Sequence, residues 1–273
     1  MKLAICNETY AGWEHARVCA DVAAAGYDGL ELSLSAIEPD PSTITEARAE
    51  RLGAEARTAG LEVVGLHWLL VAPPGLHLAS PDAAVRARTI AYMQHLARLC
   101  AAAGGHVMVL GSPAQRSVPD GATHADTFAR VAEGCRAVAE TAALCGVALA
   151  LEPLAPRLTD VMQTCAEALR MIELVDHPAC RLHLDACAMS TEARSALEIV
   201  TACAVELVHV HVNDPTTMGG PGSGTHDQRP LLRALRSVDY DGYLSVEVFV
   251  RNPDGPRIAR DSAAYLRAAL AEN

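Results

Sequence analysis

Short apolar runs alternate with longer helical patterns from one end of the chain to the other. The pattern predicts strands at Leu3–Cys6, Gly29–Ser33, Leu61–His67, His106–Leu110, Val147–Glu152, Arg181–Asp185, Glu206–His211 and Tyr243–Val248. Most of these runs are apolar at both odd and even positions, as parallel strands are when side chains fill one face and helices cover the other. Between them, Ala-, Leu- and Arg-rich stretches predict helices, most plainly at Pro81–Ala103, Thr123–Cys145 and Asp160–Asp176. Ser80-Pro81-Asp82 and Ser42 ahead of Glu46 read as helix starts, because a short polar side chain caps free backbone N–H groups. Gly marks the returns from helix to strand in AAAGYDGLEL, RTAGLEVV, AAAGGHVMV and ALCGVALAL, since it tolerates the left-handed backbone that ends a helix. The junction Gly26-Tyr27-Asp28-Gly29 is echoed locally by Asp239-Tyr240-Asp241-Gly242.

Eight such alternations predict an α/β chain, a single (β/α)8 TIM barrel over residues 1–273, in preference to an open doubly wound sheet. No GxGxxG turn follows the first strand, which weakens a dinucleotide-binding alternative. Two segments, Val71–Ser80 and Asn213–Gly224, are too long or too rich in Gly and Pro to be simple turns. Both follow strands, which places them at the active mouth of a barrel as lid or substrate loops.

Composition narrows the function. Of 273 residues, 51% are hydrophobic, the net charge is −11 and Lys2 is the only lysine. Nucleic-acid binders carry a basic stripe, and the arginines here are interspersed with Asp and Glu, so nucleic acid and anionic membrane surfaces are not expected partners. Nine cysteines without a CxxC pair read as reduced thiols of a cytoplasmic protein. The N-terminus enters a strand directly, and no apolar stretch approaches a membrane span. The apolar stretch Trp68–Val71 is a candidate surface for a homo-oligomer.

The candidate chemistry lies at the strand ends. Glu152 in ALALEPL, Asp185 in RLHLDAC, His211 in LVHVHVND and Glu247 in YLSVEVF each close an apolar run, about 26 to 36 residues apart, close to the length of a βαβ unit. In a closed parallel barrel such residues converge on one mouth. Three carboxylates there repel one another unless positive charge sits among them. The donor set is hard and rich in oxygen, suited to one divalent metal ion, Mn²⁺ or Mg²⁺ first, with Co²⁺ or Zn²⁺ as alternatives. If Asp185 and His211 point inward, so do His183 and His209, either as partners that orient ligands or as satisfied core histidines. His67 ends the third strand and can reach the same mouth, to contact substrate, hold a second metal or pack against Trp68. Asn7 and Glu8 after the first strand, and Ser112 and Arg116 after the fourth, hold equivalent positions. Arg116 is the local candidate for an anionic or polyhydroxyl substrate, and Cys187 lies two residues beyond Asp185.

At these residues the chain resembles the xylose isomerase-like TIM-barrel superfamily of sugar and sugar-phosphate isomerases and epimerases. The resemblance runs through LALEPL, the T-x-x-EAL segment at Thr164–Leu169, LHLD, VHVHVNDP, GPGSG and YDGYLSVEVF, and so covers nearly the whole chain. Its metal site is similar to that of the tagatose and psicose 3-epimerases, whose Glu, Asp, His, Glu quartet matches Glu152, Asp185, His211 and Glu247. The resemblance implies that the metal chelates adjacent oxygens of a ketose and stabilises an enediolate. It also implies that one glutamate removes a proton and the other returns one to the opposite face. The chain departs from the pattern at Leu158 and Ala188, where a substrate-touching Glu and His are usual, and at Asn213, where a Glu is common. The implied substrate is therefore a small polyhydroxy carbonyl compound; these departures weigh against a free hexulose and leave a keto-sugar derivative or an inosose open. A lyase or dehydratase on a keto-sugar or inosose shares the enediolate step, and a non-catalytic, metal-dependent sugar-binding protein is the rival of another class. A zinc-dependent apurinic endonuclease, also in this superfamily, needs a His at the Ala188 position and a charge that suits DNA.

Overall fold

A computed structural model of the chain describes residues 1–272. Eight strands, β1 (Lys2–Cys6), β2 (Gly29–Leu32), β3 (Glu62–Leu66), β4 (Val107–Leu110), β5 (Ala148–Leu151), β6 (Cys180–Asp185), β7 (Leu207–Val212) and β8 (Tyr243–Val246), pair in parallel in chain order and close into one ring. This is the (β/α)8 barrel that the alternating pattern predicts. The principal helices are α1 (His15–Ala24), α2 (Glu46–Thr58), α3 (Ala83–Ala103), α4 (His124–Leu144), α5 (Cys165–Val175), α6 (Ala186–Met189), α7 (Ala196–Cys203), α8 (Arg229–Ser237) and α9 (Gly255–Ala271).

Two hydrophobic layers explain why the strands are apolar on both parities. Inside the ring, small side chains and one ring (Ala4, Val64, Val107, Val109, Ala150 and Tyr243) form a compact plug. Outside it, residues such as Ile5, Leu30, Leu66, Leu110, Leu149 and Leu184 pack against Leu52, Leu96, Val138, Met171, Leu235 and Leu266 from the helices. Each fully buried aliphatic side chain contributes roughly 1.5–3 kcal/mol, and the plug makes the far end of the barrel a packed floor for the site.

Several boundaries differ from the sequence expectation for local reasons. Within Ser80-Pro81-Asp82 it is Asp82 that caps α3, accepting from Ala84 N at 2.8 Å, whereas Thr45, not Ser42, caps α2. The helix expected over Asp160–Asp176 begins at Cys165, because Thr164 caps it and the Asp160 carboxylate is engaged by Val118 N at 3.0 Å. The two similar junctions do share a geometry, since Gly26 and Asp239 both adopt a left-handed backbone (φ 84° and 57°). No helix among the described residues is long and apolar enough to cross a membrane.

Register is broken in two places. The β2–β3 pairing passes from Leu30↔Val63 to Glu31↔Gly65, and β6–β7 passes from Leu182↔Leu207 to His183↔His209. An extra residue in one strand re-aims the side chains beyond it. Gly65 is required where it stands, because a Cβ there would lie 2.0 Å from the Val107 carbonyl oxygen of β4. Gly65→Ala should therefore force β3 and β4 apart and cost roughly 1–3 kcal/mol or more. Thermal unfolding would show this as a lowered midpoint, and an unchanged midpoint would refute the close approach.

Candidate metal centre

Glu152 follows β5, Asp185 ends β6, His211 lies on β7 and Glu247 follows β8. Parallel pairing puts all four at the same end of the ring, and one ligand atom from each lies within 4.8 Å of the others. All four are buried, at 6%, 3%, 0% and 3% exposure. Asp185 is held from two sides: Oδ1 accepts from Ala188 N at 2.7 Å, capping α6, and Oδ2 accepts from Asn213 Nδ2 at 2.6 Å. The His211 Nδ1 faces Glu247 Oε2 at 3.1 Å. Glu247 Oε1 accepts from the Trp68 indole at 2.9 Å and lies 3.3 Å from His67 Nδ1.

A carboxylate that sequence reasoning passed over completes the centre. Glu31, in the middle of β2, is fully buried inside the barrel. It accepts from His209 Nε2 at 2.8 Å and from His211 Nε2 at 3.0 Å, and Cys6 Sγ lies 3.7 Å away. The signal was present in GLEL, since a glutamate between leucines in a barrel strand needs a buried partner. Glu31 fixes His211 by its Nε2–H, leaving Nδ1 toward the quartet, the arrangement by which a carboxylate orients a metal-ligating imidazole. His183, expected to point inward, does so. Its ring is edge-on to His211 at 4.2 Å between centroids, and its Nδ1 lies 3.8 Å from Glu152.

Charge is unevenly compensated. Burial pushes the Glu31 and Glu247 carboxyls up, but the imidazoles of His211 with His209, and of His211 with His67, outweigh it. Glu31 is held well below the carboxylate range and Glu247 falls to about 2. Burial opposes charge on His211 and His67, yet Glu31 and Glu247 beside the first, and Glu8 and Glu247 beside the second, keep both imidazoles well above their usual value. Glu152 and Asp185 lack that balance. Burial and then the charge of Glu247 push Glu152 far up and Asp185 to about 6. A divalent cation would supply the missing charge, and the four donors fit one in chemistry and proximity.

The other expected site residues divide. His67 and Ser112 line a cavity of about 490 Å³ whose floor is the quartet. His67 is clamped between Glu8 Oε2 at 2.9 Å and Glu247, and Ser112 Oγ accepts from Leu70 N at 3.2 Å. Arg116 does not meet the cavity. It is fully buried and donates from Nη2 to the main-chain oxygen of Glu152 at 2.8 Å, bracing the strand end from behind. Asn7 is likewise turned away, tied to Ser33 through both its carbonyl (2.7 Å) and its amide (3.2 Å). Asn213 serves Asp185. In the stretch Trp68–Val71, Leu69 and Leu70 are buried, while Trp68 and Val71 stand at the cavity rim.

The family described as "Xylose isomerase-like TIM barrel" matches residues 19–269 of the chain. A probable ketose 3-epimerase of Synechocystis is 24% identical over 229 residues, 82% of this chain and 75% of that protein. A 3-dehydro-D-guloside 4-epimerase of Escherichia coli is 32% identical over 137 residues, about half of each chain (50% and 52%). Among solved structures, that of an L-ribulose 3-epimerase superposes with a TM-score of 0.86 at 25% identity, covering 99% of this chain and 95% of that one.

Two outcomes follow from the centre's electrostatics. Burial and the charge of Glu247 push Asp185 to about 6 and Glu152 further up, so both hold protons that a cation must displace. Affinity for Mn²⁺, measured by calorimetric titration, should therefore fall as pH drops through 6, with proton release on binding; a pH-independent affinity between 5 and 8 would contradict this. Glu31→Gln removes the anchor of His211 and should weaken Mn²⁺ binding about 10–100-fold with the circular dichroism spectrum retained. Unchanged affinity would show that Glu31 does not orient the ligand.

Proposed function

Because the chain belongs to the xylose isomerase-like TIM barrel family, we propose that it is a divalent-metal-dependent epimerase or isomerase of a keto sugar or related polyhydroxy carbonyl compound. The observation that carries this reading is the buried quartet of Glu152, Asp185, His211 and Glu247 at the floor of a ligand-sized cavity. Mn²⁺ or Mg²⁺ suits the three carboxylates and one imidazole. When bound, such a cation supplies a Lewis acid for the oxygens of a hydroxy-ketone.

The remaining chemistry belongs to the chain. Glu152 and Glu247 directly follow β5 and β8, three strands apart around the ring, so a substrate seated between them meets a carboxylate on either side. One takes the proton from the carbon beside the carbonyl, and the other delivers a proton to the opposite face, inverting that carbon. The Trp68 indole and His67 hold Glu247 in place, and Asn213 with Ala188 N hold Asp185. Epimerase names among the relatives support the same reading. Nine free cysteines, eight of them buried, support a reducing compartment, the cytoplasm.

Glu152→Gln and Glu247→Gln should each lower exchange of the substrate's carbon-bound hydrogen with solvent deuterium by at least about 100-fold while leaving the fold intact. Mass spectrometry of the product checks the reaction class, since epimerisation conserves mass and dehydration loses water. Full exchange in both variants would remove this mechanism.

A further inference from the structure

The walls of the cavity differ in kind from its floor. Polar lining groups concentrate at the quartet and His67, with Ser112 and Gln115 on one side. The Trp68 indole N–H is committed to Glu247. The rest of the wall presents Leu154, Leu158, Met218 and Phe249, with Val71 and the Trp68 ring. At the rim, Trp68, Val71, Leu158 and Phe249 remain 37%, 55%, 48% and 41% exposed. Half of the large exposed apolar side chains among the described residues thus surround this one mouth. Clustering of that kind marks a binding surface, whereas scattered apolar exposure carries no such meaning.

The wall is also built. Phe249 N donates to the Met218 carbonyl at 2.8 Å, which joins the segment after β8 to the Asn213–Gly224 loop. The cavity of about 490 Å³ falls within the range, about 300–1,000 Å³, of sites that take drug-sized ligands. A free ketose bound at the quartet would turn its outer hydroxyls toward Leu154, Leu158 and Phe249, side chains that offer them no hydrogen bond. An apolar appendage in the same place would cover those side chains instead.

We infer that the substrate carries an apolar group, as in an aryl or alkyl glycoside whose sugar ring holds a ketone; this rests on the keto-sugar reading above. The hydroxy-ketone edge of the ring sits on the quartet, and the aglycone lies between Leu158, Phe249 and the Trp68 ring. A second copy of the chain is a poorer occupant, because the apolar lining includes the buried Leu154 in the same cavity as the quartet, beyond the reach of a flat protein face.

The test uses the full chain loaded with Mn²⁺ and compares phenyl and methyl 3-keto-glucosides with D-fructose. Deuterium exchange should be at least about tenfold more efficient (kcat/KM) for the phenyl than for the methyl compound, mainly through KM, with D-fructose weaker than both. Calorimetric binding should show the same order. Leu158→Ala and Phe249→Ala should bring the phenyl-to-methyl ratio toward one. Equal efficiency and affinity for the two glycosides, or a preference for D-fructose, would overturn the inference while leaving the epimerase reading standing. Phenyl-selective binding without exchange of any substrate would instead overturn the catalytic reading and retain the apolar site. A dimer that dissociates on Leu158→Asp, together with no phenyl preference, would give the rim to self-association and overturn the inference.

Discussion

The repulsion among buried carboxylates at one end of the barrel organises this molecule. Glu152, Asp185 and Glu247 converge because each lies at the end of a strand in a closed parallel ring. Water cannot screen them there, and the imidazoles present compensate only part of the charge. His211 and His67 answer Glu247, and His211 with His209 answers Glu31. Glu152 and Asp185 are left with raised affinities for protons. A divalent cation there would offset the uncompensated charge at a point enclosed by oxygen and nitrogen donors.

The barrel meets the geometric side of that demand with local irregularities. Two register shifts, at Leu30/Glu31 and Leu182/His183, lie where side chains must turn into the interior. Glu31, His209 and His211 then meet across the barrel, so the quartet rests on a second layer of hydrogen bonds, itself supported by the apolar plug of Ala4, Val64, Val107 and their neighbours. Behind Glu152, the guanidinium of Arg116 takes the strand-end carbonyl. The site is thereby placed on strands and braced from outside, which is how a constellation of like charges can be kept in register.

Much of this was legible in the sequence. The alternation of apolar runs and helical stretches led to the barrel, and a carboxylate or histidine ending each of the last four runs led to the quartet. The inward register of His183 and His209 followed from period two. What could not be read was direction in loops and contact across the ring. Arg116 and Asn7 hold the expected chain positions, yet their side chains turn to Glu152 O and Ser33, because strand-end loops set rotamers by local hydrogen bonds. Glu31 lay hidden because β2 and β7 are far apart in sequence and meet only once the barrel closes. Trp68 looked like core or interface, whereas its indole serves Glu247 and its ring faces the cavity.

The most direct measurement is anomalous diffraction at the manganese edge from crystals soaked in Mn²⁺ and from chelated crystals of the same form. The account predicts one strong peak bounded by the carboxylates of Glu152, Asp185 and Glu247 and the Nδ1 of His211, absent after chelation. Soaked crystals with no peak at that point, and carboxylates unmoved between the two states, would contradict it.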